Sequence, residues 1–333
     1  MRKIYVIISF CWIHLTISSQ VNTDSLWDIW NDTAKTDSVR LLALTHMSFN
    51  ILNSNPDSSC KLSKIIYEFA EEKDNVVMAG GALNLIGNSY YMRGDYKEAL
   101  SAYNQCVTKF KQLNQLNAVG TLLGNIGSIY RQQGNIVKAL ETYHQSLVYV
   151  KDDSSTLPTI FNNLAGLYVS QGNVQKALDY YQRSLIIVKK KNNHTHIPYF
   201  LNNIGECLKN SGKIDEALIR HNEALQYAIK NKDERSIANS NKHIGLIKME
   251  SKDYKSALEF LFSSSDIFIK KDYKKDLSSC YFNIANVYYE KDEFNNAIFY
   301  LGKAYKIAKE IGSVGDQKSS SKLLYKAYKK TGN

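Results

Sequence analysis

A period of 40 residues constrains this chain more than any other feature of its sequence. A small residue recurs at Gly87, Gly127, Ala165, Gly205, Gly245 and Ala285, in steps of 40, 38, 40, 40 and 40. Twelve residues after each marker the chain reads Ala99, Ala139, Ala177, Ala217, Ala257 and Ala297, without exception. Sixteen after it come Tyr103, Tyr143, Tyr181, His221, Leu261 and Leu301. A unit this short cannot bury an apolar face alone. Stacked on its neighbours it can, so the repeat predicts an array and not a closed globule.

Within a unit the spacing is helical. Leu123, Ile126 and Tyr130 fall on one face of a first helix. A turn follows at Gly94-Asp95, Gly134-Asn135, Gly172-Asn173 or Gly212-Lys213, where Gly accepts the positive φ that ends a helix. The recurring Ala then marks a second helix in close contact with the first. Pro158 and Pro198 sit where a next helix begins, a position that tolerates proline. Three prolines in 333 residues suit a chain built of helix. The two residues missing from the 38-residue step are expected in the loop "KDDSSTLP".

The stretch "LNLIGNSYYMRGDYKEALSAYNQC", Leu83 to Cys106, resembles the tetratricopeptide repeat: a large residue, Leu-Gly and Tyr in one helix, then Ala, an aromatic and Ala in the next. The unit here has 40 residues against the usual 34, as in the longer-helix variants that include the kinesin light chain and bacterial peptide-sensing regulators. The resemblance implies an all-α fold, a right-handed superhelical solenoid of helix-turn-helix hairpins. It covers residues 40–333, as about seven repeats and a final unpaired helix carrying Leu324 and Tyr328. The first repeat diverges, with "RLLALTHMSFNIL" and "PDSSCKLSKIIYEFAEE" as its helices and Pro56 at its turn.

Residues 1–20 read as a signal peptide: Arg2 and Lys3, an apolar run from Ile4 to Ile17, then Ser18-Ser19-Gln20. Residues 21–39 form a lead-in. The expected location is outside the cytoplasm, periplasmic or secreted. The net charge of +10 lies wholly beyond residue 180, where 27 basic side chains face 17 acidic ones. Lys-rich solvated faces explain that excess; so does an acidic partner. No nucleic-acid-binding motif is present.

The resemblance implies that first helices line the binding surface. Two residues before the marker stand Leu85, Asn125, Asn163, Asn203, His243 and Asn283. A ladder of carboxamides can hold an extended peptide backbone through both donor and acceptor. Arg131, Lys209 and Lys242 would be the basic members of the same face. The alternative is that these Asn side chains bond only to neighbouring helix ends.

No GxSxG, HExxH or GxxxxGK[ST] motif occurs, so the sequence points to no enzyme and no cofactor. Cys60, Cys106, Cys207 and Cys280 are placed by the repeat as small packing residues too far apart to bridge. The histidines form no ligand set in sequence; His194 and His196 share a loop and are the nearest to one. Two function classes remain. One is an exported scaffold for protein–protein interaction that binds a peptide or partner helix, with possible self-association through the C-terminal helix. The other is the sensory N-terminal half of a membrane-bound signalling receptor. The opening "DSLWDIWND", then "PDS", then the 40-residue units resemble the exported N-terminal region of bacterial signalling proteins. The sequence stops at "TGN", where a turn should lead to a partner helix.

Overall fold

A computed structural model describes residues 23–332; the expected signal peptide lies outside the described residues. Among the described residues there are sixteen helices and no strand. They divide into two compact units, one ending at Leu122 and one beginning at Leu123.

The first unit holds α1 (Thr23–Asn31), α2 (Asp37–Ile51), α3 (Pro56–Glu72), α4 (Val76–Arg93) and α5 (Tyr96–Gln112). The lead-in is therefore partly helical. Trp30 at the end of α1 meets Phe69 of α3 edge-on at 5.4 Å, and Arg40 of α2 donates from Nε to the Trp30 carbonyl at 2.8 Å. In α2 and α3 the small residues make a buried hydroxyl cluster: Ser48 Oγ lies 2.7 Å from Ser63 Oγ and 2.9 Å from Ser59 Oγ. These hydroxyls satisfy one another where water is excluded. Pro56 opens α3, behind Asn55, whose side chain caps the helix by accepting from Ser58 N.

α6 (Leu116–Gln132) carries the division between the units. The second unit continues with α7 (Ile136–Tyr149), α8 (Leu157–Ser170), α9 (Val174–Lys190), α10 (Ile197–Asn210), α11 (Ile214–Lys230), α12 (Glu234–Glu250), α13 (Tyr254–Lys270), α14 (Lys274–Glu290), α15 (Phe294–Glu310) and α16 (Val314–Thr331). Asn135, Asn173, Asp233 and Asp253 each cap a helix start by accepting from the backbone N–H three residues on. Where the hairpins of the first four aligned repeats turn on Gly94, Gly134, Gly172 and Gly212, the next two turn on Lys252 and Asp292, both held at positive φ.

The repeat positions are the core. All six recurring Ala are fully buried, and so are Cys106, Ser146, Ser184, Ala224, Ser264 and Ala304, nineteen residues after the markers. At that slot Cys106 Sγ, Ser184 Oγ and Ser264 Oγ donate to the carbonyls of Gly80, Pro158 and Ala238, each 26 residues back on the preceding helix. The two-residue deletion lies in the expected segment: Val150 is buried in register with Val188, and Pro158 follows it by two residues fewer than Pro198 follows Val188. The structure accommodates it by ending α7 early, at 14 residues where α5, α9 and α11 have 17.

Candidate functional site

The second unit carries every residue of the proposed ladder. α6, α8, α10, α12 and α14 place Asn125, Asn163, Asn203, His243 and Asn283 at one register, and all five are half-buried. The four Asn carboxamides make no hydrogen bond among the described residues, so their donors and acceptors are unspent. Bonding to a neighbouring first helix is what the residue one position earlier does in two repeats. Asn202 is buried and donates from Nδ2 to Ser240 Oγ at 2.9 Å on the next first helix, and Asn162 Oδ1 accepts from Tyr199 OH.

The three basic side chains differ in how free they are. Lys209 is 14% exposed and engaged: it pairs with Glu206 at 3.1 Å and Glu250 at 3.7 Å. Lys242 reaches Asn239 Oδ1 at 3.4 Å. Arg131 has no ion-pair partner among the described residues and leans toward α8, its Nη1 lying 3.8 Å from where a Cβ on Gly166 would be.

Beside Lys209 the structure assembles a cluster from three helices. Glu206 of α10, His221 of α11 and His243 of α12 bring their donor atoms within 4.8 Å of one another. The two imidazoles stack at 4.8 Å with 2° between planes. His221 is 0% exposed, and its Nδ1 lies 2.9 Å from Asn202 Oδ1. Burial pushes its imidazole down to about 3, so it is neutral near pH 7. Burial also lowers the His243 imidazole. The neighbouring His243, with Lys209 behind it, holds the Glu206 carboxyl down at about 2.

The comparisons agree with this repeat geometry. Residues 78–148 and 156–230 match a family model described as tetratricopeptide repeat. Both stretches are tetratricopeptide repeats. Residues 242–325, in the same array, match a model described as anaphase-promoting complex subunit 5. A comparison with curated proteins gives no match. Among solved structures the chain is similar to the apo quorum sensor NprR from B. thuringiensis, with 17% identity over 86% of this chain and 80% of that one, at a TM-score of 0.68. It is similar to a Rap protein complexed with competence and sporulation factor, with 16% identity over 89% and 84% of the two chains, at 0.63. It also resembles a signal-transduction ATPase from Pyrococcus horikoshii with a tetratricopeptide-repeat sensor, at 14% identity and 0.64. There it covers 93% of this chain but spans about half of that protein, 49%. At these identities the likeness is one of fold.

The tetratricopeptide register also explains what sequence reasoning missed. The residue after the marker and the residue sixteen after it face each other: Tyr103 OH donates to Asn88 Oδ1 at 2.6 Å, and Tyr143 OH lies 2.9 Å from Ser128 Oγ. In the fourth aligned repeat those positions hold Glu206 and His221, and the ladder position of the next holds His243. Each departs from the pattern, and all three departures meet at one place. That coincidence was readable only once the facing positions were known. His194 and His196 join no ligand cluster among the described residues; His196 Nδ1 lies 3.0 Å from Asn193 Oδ1. Cys60, Cys106, Cys207 and Cys280 are all free and buried.

Proposed function

We propose that this chain is a protein-interaction scaffold whose second unit binds an extended peptide or a partner helix across Asn125, Asn163, Asn203, His243 and Asn283. The observation that carries the reading is the unspent hydrogen-bonding capacity of the four Asn side chains, repeated at one register and half exposed. Arg131 adds an uncommitted cation at the same face; Lys209, already paired, and Lys242 contribute charge around it. A partner with acidic character suits the basic second half. The similar fold of a Rap protein complexed with competence and sporulation factor supports a bound factor of this kind. The composition of residues 1–20 supports export, and binding without catalysis is the activity read here.

A second reading is a sensory region within a longer signalling protein. Two similar folds belong to proteins described as a quorum sensor and as carrying a tetratricopeptide-repeat sensor. A reading frame that continues past Asn333 into an apolar span and an output domain would favour it; a stop codon there would remove it.

The ladder is tested by selecting binders from a displayed short-peptide library and comparing the chain with its Asn163→Ala, Asn203→Ala double variant. Two lost hydrogen bonds of about 0.5–1.5 kcal/mol each should weaken capture about tenfold. Unchanged affinity, with helix content retained, would take the ladder out of the account.

A further inference from the structure

We propose that Glu206, His221 and His243 form a binding site for a divalent transition-metal ion of the zinc class. The donor set is two imidazole nitrogens and one carboxylate oxygen, which zinc and its first-row neighbours accept and which leaves a coordination position open. The three atoms come from α10, α11 and α12 and already lie within 4.8 Å of one another.

The decisive observation is the state of His221. Asn202 donates through Nδ2 to Ser240 Oγ and therefore turns its oxygen to His221 Nδ1. That contact places the ring proton on Nδ1 and leaves a lone pair on Nε2. His221 Nε2 is fully buried and has no hydrogen-bond partner. A buried polar atom left unpaired is costly, and packing alone gives no reason to keep one here. Leu261 and Leu301 fill the equivalent slot without polar atoms. A ligating histidine commonly has its other nitrogen held by an oxygen acceptor in this way.

The other two ligands complete the argument. His243 Nδ1 also lacks a hydrogen-bond partner, and it lies 3.4 Å from Glu206 Oε2, long for a hydrogen bond. Lys209 pairs with the other carboxylate oxygen, Oε1, at 3.1 Å. Oε2 is thus left for an ion, and Glu250, 3.7 Å from Lys209, offers that lysine a second anion. The ion would take the lone pair of His221 Nε2 and the Glu206 oxygen, and binding would move any proton on His243 Nδ1 to its other ring nitrogen.

Binding requires a small rearrangement. An ion lies in the plane of each imidazole that ligates it, and these rings are parallel. Ligand atoms around a tetrahedral zinc are roughly 3.4 Å apart. His221 is locked by Asn202, whereas His243 is 22% exposed and can turn. His243 is also the ladder residue of its repeat, so the open position faces the side on which a ligand would lie.

The test uses the untagged full chain, stripped with chelator and titrated with Zn²⁺ or Co²⁺ in the absence of any peptide, so its outcome is separate from that of the ladder. One equivalent should bind, and Co²⁺ should show the intense ligand-field bands of a low-coordinate site. His243→Asn restores the residue of four other repeats and His221→Tyr the ring that packs against Gly87 and Gly127. Each should weaken binding at least as much as loss of an outer-shell partner, about 10–100-fold. Glu206→Gln provides a third variant should either not fold. The His194→Ala, His196→Ala double variant should bind as the parent does. Absence of stoichiometric Zn²⁺ and Co²⁺ binding would overturn the proposal. So would binding that survives His243→Asn and Glu206→Gln unchanged.

Discussion

The ring of Tyr103 packs against Gly87: a Cβ added there would sit 2.6 Å from Tyr103 Cε1 and 2.7 Å from Cδ1. The same relationship joins Gly127 to Tyr143 and Gly205 to His221. At these Gly markers the side chain sixteen positions on occupies the space a Cβ would take, whereas Ala165 and Ala285 keep a Cβ in their repeats.

Gly87→Ala should therefore destabilise the fold by about 1–3 kcal/mol through overpacking, despite Ala being the better helix former. The midpoint of urea unfolding reads this. Pairing it with Tyr103→Leu should recover much of the loss, because Ala285 and Leu301 occupy these two positions in the last aligned repeat. A Gly87→Ala chain as stable as the parent would contradict the packing account.

Tyr103 and Tyr181 share a register but not a bond. Tyr103 OH donates to Asn88 Oδ1, whereas Gly166 stands opposite Tyr181 and offers no side chain. Tyr103→Phe is expected to cost about 1 kcal/mol and Tyr181→Phe close to nothing, both by urea unfolding. Equal effects would mean that the hydroxyl, rather than its partner, sets the stability.

Asn202 and Asn203 are neighbours with opposite roles. The first is buried between His221 and Ser240; the second is half exposed and unbonded. Asn202→Ala should cost about 1–3 kcal/mol by leaving Ser240 and His221 unpaired. Asn203→Ala should stay within about 0.5 kcal/mol. Thermal unfolding of the two variants side by side checks the contrast, which also separates structure from binding in the ladder.

The cysteine thiols should be inert in the folded chain. Burial pushes Cys106 up to about 12 and Cys207 and Cys280 up to about 11. A raised pKa means less thiolate, the reactive form, at any pH below it. Alkylation at mildly alkaline pH, mapped by mass spectrometry, should spare these three until denaturant is added. Rapid labelling of Cys106 in native conditions would show that its slot opens.

The hairpins, their small contacts and their proline-marked starts were legible because each is local. Ala99 to Ala297 at one phase, Gly94 to Gly212 at another, and Pro158 and Pro198 all act within a few residues of themselves, and each recurs. Lys252 and Asp292 were less legible, since a non-Gly residue at positive φ has no one-letter signal. The segment holding the two-residue deletion was legible, but not that α7 would stop at Tyr149. Helix ends depend on packing against the next repeat, and polar loop residues look alike whether or not the helix has stopped.

What the sequence determined by itself is the array: a period, two helices in each unit, and which positions are buried. Periodic burial is one-dimensional information, and a repeat writes it many times over. What only the tertiary structure decided is which side chains from different helices face one another. Glu206, His221 and His243 lie 15 and 22 residues apart in sequence and on three helices. Their meeting depends on how three helices cross, and hydrophobic periodicity assigns a residue to a face without saying what that face will touch.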